Sequence, residues 1–126
     1  MTSGTSFDRT LRIVVAEDDP QLRMLVVDVL TDAGFEVLEA AHADAAPRIL
    51  CSAEGDIQAL FTDVNMPGSM NGLELARRAH HKWPRLPLMI GSGAAPDTLP
   101  PSGRFVSKPY KLSDLPDRMW DLIAAA

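Results

Sequence analysis

The sequence predicts an α/β sandwich, with five strands separated by helices and therefore joined by parallel crossovers. Three observations predict it. Five short apolar runs recur along the chain, and turn residues bound them. Between most of these runs lie stretches with apolar residues at helical spacing. The length of 126 residues fits one domain with one core.

The elements follow in order. Leu11 to Ala16 is apolar and rich in β-branched residues, so it reads as a buried strand that stops at Glu17-Asp18-Asp19. Asp19 followed by Pro20 is a helix start, with Asp as the cap and Pro in the first turn. Leu22, Leu25, Val26, Val29 and Leu30 give that helix its apolar face, and Gly34 stops it. Phe35 to Glu39 is the second strand. Asp44 is placed to cap the next helix, with Pro47 in its first turn, Ile49, Leu50 and Ala53 on its inner face and Gly55 at its end.

Ile57 to Thr62 is the third strand, ending at Asp63. A loop from Val64 to Met70 follows, and Asn71 caps a helix from Gly72 to Trp83. Leu86 to Ile90 is the fourth strand, ending in Gly91-Ser92-Gly93. The segment from Ala94 to Gly103 carries Pro96, Pro100 and Pro101, which argues against a regular helix there. Arg104 to Ser107 is the fifth strand, ending at Lys108-Pro109. Ser113 is placed to cap the last helix, whose inner face is Leu115, Met119, Leu122 and Ile123.

Composition narrows the function. The net charge is −5, with no stripe of Lys and Arg, which disfavours direct binding to nucleic acid or anionic membrane. No apolar run approaches the roughly 18 residues of a membrane span, so no membrane insertion is expected. The single cysteine, Cys51, rules out an internal disulfide, is compatible with a cytoplasmic setting, and reads as a buried or half-buried filler on a helix. Residues 1–10 are polar and read as a disordered tail, leaving 11–126 as the folded domain.

Ligands of open parallel sheets gather at the carboxyl ends of the strands. Here those ends carry Glu17 and Asp18, then Asp63, then Ser92, then Lys108. Three crowded carboxylates repel one another, and a hard divalent cation such as Mg²⁺ removes that cost. Lys108 adds positive charge and Ser92 a hydroxyl donor, a set suited to a phosphoryl group in transfer. Asp63 is placed as the nucleophile. Asp19 is explained by its capping role. His42, His80 and His81 match no metal-ligand spacing, Arg77 and Arg78 read as a solvated face, and Trp83 and Trp120 as packing residues.

Five segments in order, Val14 to Asp19, Thr62 to Pro67, Asn71 to Leu75, Gly91 to Gly93 and Phe105 to Pro109, make the chain resemble the receiver domains of two-component response regulators over nearly its whole length. The resemblance implies a flavodoxin-like, doubly wound sheet in the order 2-1-3-4-5. It implies that Asp63 is the phosphoacceptor and that Glu17 and Asp18 form the acidic pair for Mg²⁺, with Asp18 the direct ligand. The backbone carbonyl of Asn65 would be a further ligand, Ser92 the switch hydroxyl, and Phe105 the aromatic switch. Lys108 would bind a phosphoryl oxygen, next to a cis peptide at Pro109. The implied phosphodonor is a phosphohistidine on a histidine kinase or a histidine phosphotransfer protein, with signalling through partner proteins by a stand-alone domain that catalyses its own phosphorylation and dephosphorylation.

Four departures stand out. Glu17 occupies a position where Asp is commoner. The loop from Pro67 to Gly72 is one residue longer than usual. Ser92 lacks the methyl of Thr. The stretch from Ser92 to Lys108 is short and proline-rich, so the fourth helix is expected to be shortened or missing. A degenerate receiver, used only for phosphorylation-independent docking, is the alternative. An aspartate-nucleophile hydrolase is disfavoured by Asn65, which stands where such enzymes place a second acid. A flavin-binding protein is disfavoured by Glu17-Asp18-Asp19, which would repel a phosphate.

Overall fold

A computed structural model of the chain describes residues 10–53 and 56–125. Strands β1 (Arg12–Ala16), β2 (Glu36–Ala40), β3 (Ala59–Asp63), β4 (Leu88–Ser92) and β5 (Gly103–Ser107) form one parallel sheet in the order β2-β1-β3-β4-β5. Among the described residues four helices accompany them: α1 (Pro20–Asp32), α2 (Ala46–Ala53), α3 (Gly72–Lys82) and α4 (Leu115–Ala125). The expected fold class and strand order are thus observed. The expected tail and the expected helix end at Gly55 lie outside the described residues.

The period-2 alternation of the strands sorts the core into two halves. Val14, Ala16, Leu60, Leu88 and Ile90 face α2 and α3, where Leu50, Leu75, Ala76 and Ala79 meet them. Ile13, Val15, Ala59, Phe61, Met89 and Val106 face α1 and α4, meeting Val26, Leu30, Leu115, Met119 and Leu122. Leu25 was expected on the inner face of α1 but is 47% exposed, because the stripe that reaches the sheet is narrower and centred on Val26 and Leu30.

Local chemistry sets the element ends. The Asp19 carboxylate accepts from the Gln21 and Leu22 amides. Asn71 accepts from the Glu74 amide at 2.9 Å. Gly34, at φ +104°, closes α1 by donating to the Thr31 carbonyl, and the Phe35 amide donates to the Leu30 carbonyl. Phe35 is therefore part of the helix stop, and β2 starts one residue later than expected. β4 runs on through Gly91 and Ser92, expected as a turn, because both pair with β5.

Three expectations need correction. Asp44 does not cap α2. It lies in a 3-10 turn, Ala43–Ala45, and both its carboxylate oxygens lie 3.0 Å from the Ser69 hydroxyl, which ties the β3–α3 loop to this turn. Ser113 does not cap α4, which is entered through a second 3-10 turn, Leu112–Asp114, whose i→i+3 bonds occupy the first amides. Cys51 is exposed rather than buried, on the outer side of α2, with Lys82 Nζ 3.2 Å from its sulfur.

Residues 93–102, between β4 and β5, contain no helix. Pro96, Pro100 and Pro101 supply no amide donors, and the segment instead crosses as coil. Leu99 packs against the α2/α3 half of the core, and Gly103 donates to the Pro100 carbonyl at 2.8 Å. The fourth crossover helix expected to be shortened or missing is absent.

Candidate acidic site at the carboxyl edge of the sheet

β1 and β3 are the central strands, and the acids follow directly from their ends. The Glu17 amide donates to the Ala40 carbonyl at 3.0 Å, which carries the β1 alignment one residue past the strand. Glu17 lies two residues after Val15, and Asp63 two after Phe61, so both turn towards the α1/α4 face. Both are buried, at 3% and 5% exposure, and Asp18 is half-buried. One carboxylate oxygen from each of Glu17, Asp18 and Asp63 lies within 4.8 Å of the others, and among the described residues no other group of His, Cys, Asp or Glu could hold a metal ion.

The corner between β1 and α1 is held tightly. The Asp19 amide donates to Glu17 Oε2 at 3.1 Å. Arg23 donates to the Glu17 carbonyl at 2.8 Å and pairs with Glu39 at 3.1 Å. On the other side, the Lys108 amide donates to the Ser92 carbonyl at 2.8 Å, just past the end of β5, and Lys108 Nζ reaches Asp63 Oδ1 at 2.8 Å. The Lys108–Pro109 peptide is cis, as expected.

Electrostatics defines what the pocket wants. Three carboxylates face one lysine. Two unit charges about 5 Å apart repel by about 3 kcal/mol at an effective dielectric near 20. Burial raises the Glu17 carboxyl from 4.5 to about 7. The Asp63 charge pushes the same way, while the Asp19 amide and Lys108 oppose it. Asp63 Oδ1 has its ion pair with Lys108 but accepts no well-directed hydrogen bond among the described residues. Buried, hard oxygen donors with excess negative charge suit a small divalent cation that keeps part of its water shell, so the residues present fit Mg²⁺.

Of the remaining expected residues, Ser92 ends β4 beside this edge. It is buried, and its hydroxyl accepts from the Ala94 amide at 3.2 Å. Asn65 is exposed in the loop after Asp63, where the Met66 and Gly72 amides both donate to the Val64 carbonyl. Phe105 is half-buried on β5 opposite Ile90. His42, His80 and His81 take no part in the acidic group, and His80 lies 3.4 Å from Ser102 instead. Arg77 and Arg78 are exposed and reach Glu74. Trp120 packs on Phe35 at a centroid distance of 5.2 Å, with 48% of its surface exposed.

Sequence reasoning passed over two residues. Gly72 lies so close to β3 that a Cβ there would sit 1.7 Å from the Asp63 carbonyl oxygen, and its place directly after a capping Asn was the available signal. Tyr110 packs edge-on against Phe61, at a centroid distance of 5.9 Å, with a buried hydroxyl. The signal was a lone tyrosine two residues after Lys108.

Comparison with known proteins agrees with this geometry. The profile of the response regulator receiver domain matches residues 13–119. The chain is 36% identical over 121 residues to the response regulator receiver protein CpdR of Brucella abortus, covering 91% of this chain and 98% of that protein. It superposes on a response regulator receiver protein from Sinorhizobium medicae with a TM-score of 0.82 and 26% identity, over 93% and 97% of the two chains. It superposes on the receiver domain of the hybrid histidine kinase CckA with a TM-score of 0.78 and 31% identity, over 89% and 98%. A core sorted on two faces of a 2-1-3-4-5 sheet, an acidic group at its carboxyl edge and a match spanning most of the sequence place this chain in the response regulator receiver domain family.

Proposed function

We propose that the domain accepts a phosphoryl group from a phosphohistidine onto Asp63, with Mg²⁺, and signals by the change of shape that follows. One observation carries the reading: Lys108 Nζ stands 2.8 Å from Asp63 Oδ1 within a group of three carboxylates, two buried and one half-buried. Such a group is costly unless a cation and an incoming anion are to share it. Asp18, Asp63, the Asn65 carbonyl and, through water, Glu17 are the residues that would hold the ion. When bound, the ion neutralises the carboxylates and the charge on the transferring phosphoryl oxygens.

The steps of the chain's own residues follow. A carboxylate oxygen of Asp63 attacks phosphorus in line. The O–P bond forms as the P–N bond to the donor imidazole breaks, and the imidazole regains its proton from solvent. Lys108 moves its ammonium onto a phosphoryl oxygen, which takes over the negative charge that Asp63 loses on esterification. Ser92 exchanges its bond with the Ala94 amide for one to the phosphoryl group, and Phe105 turns into the space released. Attack of water on phosphorus later returns Asp63 and inorganic phosphate. The donor is a histidine kinase or a histidine phosphotransfer protein, a reading supported by the 31% identity to a receiver of a hybrid histidine kinase.

The test is incubation with phosphoramidate or acetyl phosphate, with and without Mg²⁺, read by intact-protein mass. The expected result is the gain of one phosphoryl group in the wild type with Mg²⁺. None is expected after chelation or in Asp63→Asn. A wild-type chain that gains no mass overturns the phosphoacceptor reading in favour of phosphorylation-independent docking.

A further inference from the structure

Tyr110 presents an unusual combination. Its hydroxyl is buried and has no hydrogen-bond partner among the described residues. Its ring is fixed edge-on to Phe61. It also lies over Gly91, where a Cβ would sit 3.4 Å from Tyr110 Cε2. Gly91 is the register partner of Asp63, and Phe61 lies two residues before Asp63 on the same face. The ring is thus wedged against the strand ends that carry the acidic group, on the side to which Glu17 and Asp63 turn.

A phenylalanine would fill this space without burying a polar atom. The phenol therefore has a cost that packing does not explain, since an unpaired buried hydroxyl destabilises a fold. Burial, and then the negative charges of Glu17 and Asp63, push the phenol well above its usual range, so it remains a donor at every physiological pH. Of the two carboxylates, Asp63 is already paired with Lys108. Glu17 has only one oxygen, Oε2, engaged by an amide hydrogen bond.

We propose that Tyr110 is a positioning residue of the cation site: its buried hydroxyl donates a hydrogen bond to the Glu17 carboxylate when a divalent cation draws the acidic group together. Glu17 is one methylene longer than aspartate and has more rotamers to lose. A fixed donor to its carboxylate holds it as an oriented anion, in the way outer partners orient the ligands of metal sites. The inference rests on the Mg²⁺-dependent reading given above.

Tyr110 is the only tyrosine of the chain, so protein grown with tyrosine labelled with ¹³C at Cζ gives a single resonance for the phenol carbon. Titration with Mg²⁺ is expected to move that resonance with the same midpoint as the Mg²⁺-induced rise in melting temperature. Tyr110→Phe keeps the ring and removes the donor. It is expected to weaken Mg²⁺ binding about tenfold, by calorimetry, while the melting temperature in EDTA stays level or rises. A ring with a purely structural role predicts unchanged Mg²⁺ affinity. A Tyr110→Phe chain that binds Mg²⁺ as tightly as the wild type overturns the inference and leaves the cation site standing. A wild-type chain with no saturable response to Mg²⁺ removes the cation site, and the role of Tyr110 with it.

Discussion

Gly72 and the backbone of Asp63 are in direct contact: a Cβ at position 72 would lie 1.7 Å from the Asp63 carbonyl oxygen and 2.8 Å from Thr62 Oγ1. The first turn of α3 is thereby docked onto the residue that ends β3. Gly72→Ala cannot be accommodated by side-chain rotation, because the obstacle is backbone, so α3 or β3 must shift. The expected loss is more than about 4 kcal/mol in urea-denaturation stability. An unchanged urea midpoint would mean that the helix start is free to move.

Lys108 supplies the only ammonium in contact with Asp63 among the described residues. Lys108→Ala is expected to slow phosphorylation by a small-molecule donor about 100-fold at saturating Mg²⁺, since in the proposed mechanism it removes the charge that meets the transferring group. Quenched-flow mass analysis reads the rate. A drop of less than threefold would detach Lys108 from the chemistry.

Glu17 gives the cation-free protein a specific pH dependence. Its folded pKa, about 7, lies above the unfolded value of 4.5. Between these values the folded chain holds a proton that the unfolded chain has released, so stability present below pH 4.5 is lost as pH rises towards 7. Glu17→Gln removes this term. In EDTA the variant is expected to match the wild type near pH 4 and to exceed it by roughly 1–3 kcal/mol at pH 8. Equal stabilities at pH 8 in paired denaturant melts would contradict the buried-charge account.

Tryptophan emission provides a control on the placement of the site. Trp120 packs on Phe35, next to β2, and Trp83 ends α3 at the opposite end from Gly72. Saturating Mg²⁺ is expected to change the fluorescence intensity little. A large quench would require an ion near one of the two indoles.

Much of this protein was legible in its residues. The apolar runs predict the three inner strands most clearly, because a strand covered on both faces has to be apolar along its length, while the edge strands β2 and β5 carry only short apolar stretches between polar residues. Asp19 and Asn71 announced two helix starts through local chemistry, and both caps form. Pro96, Pro100 and Pro101 announced the missing crossover helix, since proline acts on its own backbone regardless of surroundings. Glu17, Asp18, Asp63 and Lys108 could be picked out because they end apolar strands, and the fold brings them together.

What failed in the reading depended on partners distant in sequence. Asp44 looked like a cap, but Ser69, 25 residues away, holds its carboxylate. Leu25 had the spacing of a core residue, yet the width of the buried stripe is set by how α1 lies on the sheet. The local signals at Gly72 and Tyr110 are too weak to reveal their roles, which arise from close approach to Asp63 and Gly91 across separate strands. Periodicity and capping, which act within a few residues, mark the strands and the acids that end them. The separation of the three carboxylates and the 2.8 Å approach of Lys108 to Asp63 come instead from packing the whole sheet against its helices, which no local signal encodes.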